Sequence, residues 1–154
     1  MPFVPFSRTD LSDLVYHEND PSVGYSRSDI NVTPPAGGAA VKMGTVVYRA
    51  KDKTNTAATA YAVLSANTQL DSANEFAIVF GDHYGCKESF VPRTIASGQF
   101  NAVAFVGKNG AIMLKDALIR EFAQDPAGLN LSDSEFENLR ELLAEQGLRV
   151  EATL

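Results

Sequence analysis

From Thr45 to Gly107 the sequence repeats one pattern, and that pattern leaves few folds open. Short runs of β-branched, aromatic and small apolar residues alternate with polar loops or glycine. The runs are "TVVYRA" (45–50), "AYAVLSA" (60–66), "FAIVFG" (76–81), "KESFV" (87–91) and "NAVAFVG" (101–107). Each has the length of a strand and lies between turn-forming residues. "KDKTNTA" after Ala50 reads as a polar loop, and "GDHYG" (81–85) as a turn. "KNG" (108–110) is a hairpin signal, because Asn-Gly accepts positive φ.

The flanks are less uniform. "LSDSEFENLRELLAEQGLRV" (131–150) begins with Ser132 and has Glu135 three residues on, the pattern of a capping box. Leu131 and Phe136 are spaced as a hydrophobic staple, and Phe136, Leu139, Leu142 and Leu143 fall on one helical face. Gly147 stands where a helix ends in a left-handed residue, and "LRVEATL" resumes strand alternation. "AIMLKDALI" (111–119) is ambiguous between strand and helix. At the other end, residues 1 to about 40 have no sustained periodicity. "LSDLVYHEND" (11–20) fits a short helical or extended piece, and "DINVT" (29–33) alternates as a strand. Pro34 and Pro35 then stop any ladder, since neither can donate a backbone hydrogen bond. The expected fold is α+β, mostly antiparallel β, finished by one helix. The expected organisation is an extended N-terminal arm over 1–40 and a compact β-rich domain over 41–154, with its helix near 133–146.

The 45% apolar content suits a folded core. No apolar run approaches the roughly 18 residues of a membrane-spanning helix, and "MPFVPFSRTD" has no signal-peptide pattern. The lone Cys86 excludes an internal disulfide and a cysteine-pair metal site. Net charge is −6 and the thirteen basic residues are scattered, which disfavours phosphate backbones and anionic membranes. Between Lys115 and Glu151 there are four basic and nine acidic residues, the pattern of a solvated acidic helix face.

Candidate chemistry is sparse. "GDHYGCKES" (81–89) places Asp82, His83, Cys86 and Glu88 close together. A thiolate at Cys86 with His83 as its base is the sharp reading. Residues three apart in a tight turn rarely aim at each other, so a polar hairpin tip is the plainer one. His17 and His83, with Glu18 and Asp82, lack metal-ligand spacing. Gly37, Gly38 and Gly44 lack the Lys-Ser/Thr of a phosphate loop, and no Gly-x-Ser-x-Gly elbow occurs.

Four segments in order carry a resemblance. "YSRSDINVT" (25–33) is similar to a Ser-Arg-acidic-β-branched-Val-Thr opening. "AAVKMGTVVYRA" (39–50) is similar to a Gly-Thr-Val strand, with Met43 where a small residue is usual. "AVLSANTQLDSANEFAIVFGDHYGCKESFV" (62–91) follows a Gly-Ile-Leu core segment, with Ala62 in place of glycine. "LSDSEFENLRELLAEQGLRV" (131–150) matches a polar cap, a helix and a Leu-Gly-Ile-x-Val ending. Taken together, the chain resembles the bacteriophage head decoration protein family, of the lambda kind, over roughly residues 25–150. The segments 90–101 and 119–130 are longer than the family's core pattern.

The resemblance implies a small antiparallel β-barrel or tulip-like domain. It implies a non-enzymatic protein of the virion, made in the host cytoplasm, with no catalytic residues, cofactor or metal. Such a protein sits on the outside of a mature phage head and binds the major capsid protein. It bridges neighbouring subunits against DNA pressure, as a homotrimer or else a dimer. The arm of such proteins orders on the capsid. Phe3, Phe6, Leu14, Tyr16, Tyr25, Arg27, Ile30 and Val32 are the arm residues assigned to that contact. "DINVT" suits addition to a partner's sheet edge, the alternative being that the arm folds back onto its own domain. Two other functions stay open: a β-barrel module for a peptide or glycan, and a Cys86/His83 enzyme.

Overall fold

The computed structural model describes residues 9–10, 13–18, 27–35, 38–52, 54, 56, 59–82, 89–90, 93–95, 98–107, 112–124 and 129–152. The expected mostly β, α+β fold is what the chain adopts. Twelve strands are described: β1 (Thr9–Asp10), β2 (Val15–Glu18), β3 (Arg27–Thr33), β4 (Ala39–Val41), β5 (Val46–Ala50), β6 (Tyr61–Val63), β7 (Asn74–Asp82), β8 (Ser89–Phe90), β9 (Arg93–Ile95), β10 (Phe100–Phe105), β11 (Ile112–Lys115) and β12 (Leu148–Glu151). The helices are α1 (Asp116–Ala123) and α2 (Asp133–Glu145).

Five strands close a barrel in the order β10-β3-β6-β5-β7, with β7 pairing back to β10. Closure removes the edges that such short strands would otherwise expose. Phe76, Phe105, Ile78, Val46, Val47 and Val32 are fully buried. Taking each such side chain from water contributes about 1.5–3 kcal/mol. Most barrel pairs are antiparallel, but β3 runs parallel to β6. The ladder of β3 ends at Thr33, directly before Pro34, as the missing proline donors require.

The second sheet has the order β12-β11-β2, and α2 packs on β12. Ile112, Leu114, Leu148 and Val150 alternate inward on β11 and β12. They meet a core that includes Leu139, Leu142 and Leu143 of α2. Two short ribbons, β1-β8 and β4-β9, complete the described strands.

The ambiguous stretch 111–119 holds both answers in succession. Ile112 and Leu114 alternate inward as β11, and the chain turns helical at Asp116. Ile119, Phe122 and Ala123 are then buried on the 3.6-residue period. Asp116 sits in the first turn, where a carboxylate favours the helix dipole, and holds Arg120 one turn on at 2.8 Å. The expectation of a single helix is therefore corrected to two. After Pro35 the chain turns, Gly38 donating to Pro35 O at 2.9 Å with φ +85°, before strand β4 begins at Ala39.

The capping box of α2 is formed as its spacing predicts: Ser132 Oγ accepts from the Glu135 N–H, and Glu135 accepts from the Ser132 N–H. Such caps contribute about 1 kcal/mol. Gly147 ends the helix at φ +85°. The preceding residue, Gln146, does something the sequence does not announce. Its side-chain amide donates to Phe76 O and accepts from Phe76 N, both at 2.7 Å. Strand β10 covers β7 only from Ile78 onward, so the Gln146 amide stands in for a missing strand at Phe76. Beside it, Gly107 has φ +69°, and a Cβ there would lie 2.4 Å from Gln146 O.

The described parts of the expected arm, where it covers 9–10, 13–18 and 27–33, belong to the folded body. β3 is a barrel stave, β2 is a strand of the second sheet, and β1 pairs with β8. A free arm over residues 27–33 is thereby corrected. Ile30 and Val32 sit in the chain's own core because the barrel cannot close without that strand.

Candidate functional site

Two ion pairs, each with a buried carboxylate, join barrel strands to their neighbours. Arg27 at the start of β3 forks onto Glu18 of β2, Nε to Oε1 at 2.9 Å and Nη2 to Oε2 at 2.7 Å. The guanidinium also lies over Phe80 and Phe105 at 5.1 and 5.7 Å, and those two rings stack at 4.1 Å. The hydrogen bonds it donates to Glu18 hold Arg27 above its ordinary pKa against the cost of burial. Planar bidentate geometry and ring stacking are both arginine properties. Arg27, expected as a capsid contact, instead locks the second sheet to the barrel.

Arg49 on β5 is more heavily committed. Its Nε donates to Glu75 of β7, and Nη1 donates to the carbonyls of Thr56 and Thr59 at 2.8 and 2.9 Å. Its guanidinium covers the Tyr61 ring at 4.3 Å. One side chain thus ties three strands and the loop after β5. Burial pushes the Tyr61 hydroxyl up to about 12, with the Glu75 carboxylate adding to the rise and Arg49 opposing it. A tyrosine raised from its ordinary 10.0 keeps its proton in the folded state when the unfolded chain has already lost it. Its stabilising effect is therefore complete below pH about 10 and lost between about 10 and 12. Melting temperature measured from pH 9 to 12 is expected to fall across this window, and Tyr61→Phe is expected to flatten the fall. An equally steep fall in the variant would assign the effect elsewhere.

The residues expected to touch a capsid separate into three groups. Leu14, Ile30 and Val32 are buried in the chain's own core and are corrected to packing residues, like Arg27 to a structural clamp. Phe3, Phe6 and Tyr25 lie outside the described residues. Tyr16 remains at the surface, the exposed large hydrophobic side chain among the described residues, at 38%. Its hydroxyl donates to Ala152 O at 3.0 Å, and Lys115 Nζ stands 5.1 Å from its ring.

The β2–β11 register skips Tyr16, and next to it the second sheet lines up a row of outward residues. His17, Met113 and Arg149 stand opposite one another across the three strands, followed by Lys115 opposite Glu151. Arg149, with 68% of its side chain exposed, pairs with Glu151. At the free edge of β12, Arg140 of α2 donates twice to Val150 O at 3.1 and 3.0 Å, and to Glu137 at 2.6 Å. A shallow groove of about 220 Å³ runs there between α2 and β12. Sequence reasoning missed His17, Met113, Lys115 and Arg149 as one surface. Only strand pairing between residues nearly a hundred positions apart brings them together.

The candidate pair Cys86 and His83 lies outside the described residues, as does the hairpin signal at 108–110. Among the described residues no group of three or more His, Cys, Asp or Glu is clustered as metal ligands. No described helix is long and apolar enough to cross a membrane. No protein-family model, curated protein or solved structure matches the chain.

Proposed function

We propose that the protein decorates the outside of a mature phage head, binding the major capsid protein and bridging its neighbouring subunits. In this reading it is a structural protein of the virion rather than an enzyme, and it acts as a homo-oligomer. What supports the reading is where the four resembling segments fall. Their described parts become β3, then β4 and β5, then β6, β7 and β8, then α2 and β12. Of these, β3, β5, β6 and β7 are four of the five barrel staves, β4 and β8 belong to the two short ribbons, and α2 packs on β12. The resemblance therefore follows most of the barrel rather than scattered loops.

The charged groups next to the barrel favour the same reading. Glu18, Arg27, Arg49 and Glu75 are engaged with one another, with backbone and with rings. Such groups lock a scaffold together. A rigid body of this kind suits a clamp, because little conformational entropy is lost when it docks. Oligomers on a symmetric lattice would add effective concentration to modest single contacts.

The test is co-sedimentation of the full chain with expanded, decoration-free heads of the phage that encodes it. Saturable binding is expected, together with heads that withstand a higher temperature before rupture. A folded protein that stays in the supernatant would overturn the proposal. Deleting residues 1–33 is not a usable arm test, because it removes β3 and opens the barrel.

A further inference from the structure

We infer that Arg140 is an edge guard: it holds the β12 edge shut against a second copy of the chain, which would otherwise add there strand to strand. The inference is independent of the decoration reading.

β12 ends its sheet, and no described strand lies beyond it. The register shows which of its backbone groups look outward. Ile112 N donates to Gly147 O, and Ile112 and Leu114 stand opposite Leu148 and Val150. In a parallel ladder with that bond, β11 engages the backbone of Gly147, Arg149 and Glu151, so the peptide groups of Leu148 and Val150 point away from it. Such a row is a template for another strand.

Here the row is covered. Arg140 of α2 donates to Val150 O through both Nε and Nη2, at 3.1 and 3.0 Å, and Glu137 one turn back holds the same guanidinium at 2.6 Å. Val150 is left only 3% exposed and Leu148 is fully buried, although both belong to an end strand. A bond from a cation to a carbonyl is stronger than a neutral backbone bond, so an incoming N–H has to displace it.

The strand itself names what the guard excludes. Around Val150 the sequence reads Arg-Val-Glu. Two such strands laid antiparallel about a two-fold axis at Val150 set Arg149 of each copy opposite Glu151 of the other. The two-residue period keeps these charges on one face and brings the two copies of Val150 together on the opposite face. The contact is isologous, the same patch on both copies. Moving the axis to Arg149 or Glu151 sets like charges opposite each other, so one register is selected. The pair that Arg149 makes with Glu151 within one chain competes weakly, because the Arg149 side chain is 68% exposed.

The experiment measures mass in solution by sedimentation equilibrium, over a range of concentrations, for the full chain, Arg140→Ala, Arg140→Met, and Arg140→Ala combined with Glu151→Arg. Arg140→Ala is expected to form assemblies of at least twice the parent's mass, increasingly so with concentration. Arg140→Met keeps the apolar stem and loses the donors, and should behave likewise. Adding Glu151→Arg should return the mass to the parent's, because like charges then face each other across the two strands. Circular dichroism melts check folding, and if Arg140→Ala does not fold, Arg140→Met decides. A folded variant that keeps the parent's mass at every concentration overturns the inference. So does a doubled mass that persists with Glu151→Arg, since the contact then lies elsewhere on the chain.

Discussion

Replacing Gly107 with alanine is expected to cost about 3 kcal/mol, through backbone strain at positive φ and crowding of a packed site. The backbone there is at φ +69°, and the added methyl would stand 2.4 Å from Gln146 O, with Leu148 Cγ at 3.0 Å. The obstruction is backbone, so no rotamer change relieves it. Yielding would pull Gln146 off Phe76 and lift the end of α2 from the barrel seam. For a chain of this size the melting temperature should drop by about 10 °C. Gly98→Ala is the control for backbone strain alone, since its φ is +80° with nothing within 4 Å of the new atom. A loss at Gly107 no greater than at Gly98 would show that the contact with Gln146 carries no energy.

Arg49→Ala should be comparably damaging. Removing one member of a buried ion pair leaves the other charge without compensation, typically at about 3–5 kcal/mol. Only 10% and 11% of the Arg49 and Glu75 side chains are exposed, so Glu75 has little access to water as a substitute. The loop bonds to Thr56 and Thr59 and the stack on Tyr61 go with it. A urea titration should place the midpoint well below that of the parent. The double variant Arg49→Met, Glu75→Leu should regain most of the loss, because it buries no lone charge. If the single variant is as stable as the parent, the pair is only ornamental to the fold.

The sequence made the local elements legible and left the long-range ones hidden. The α2 cap at Ser132 and Glu135, its buried face and the Gly147 stop were all written in residues within one turn of each other. The strands at 45–50, 76–81 and 101–107 announced themselves by composition. What could not be read was which strand sits beside which. Ile30 and Val32 looked like anchors for a foreign sheet edge, and alternation alone cannot distinguish that edge from one's own β10 and β6. Helix α1 was obscured because β11 runs into it without an intervening turn, so two periods share nine residues. Tyr16 reads from the sequence as a contact residue of an extended arm. Its neighbours on the outer face come from β11 and β12, and no local pattern links them to it.

The position of β3 also sets an order in time. Its neighbours in the barrel are β6 and β10, and β10 begins at Phe100. During synthesis the β3 segment emerges well before the strand that will close the barrel on it, so Ile30 and Val32 wait in water for some seventy residues. At about 5–20 residues per second that interval lasts several seconds. Closure then joins distant parts of the chain, a topology associated with folding in milliseconds to seconds. The same strand that seals the finished barrel is the one most exposed to wrong partners while the chain is being made.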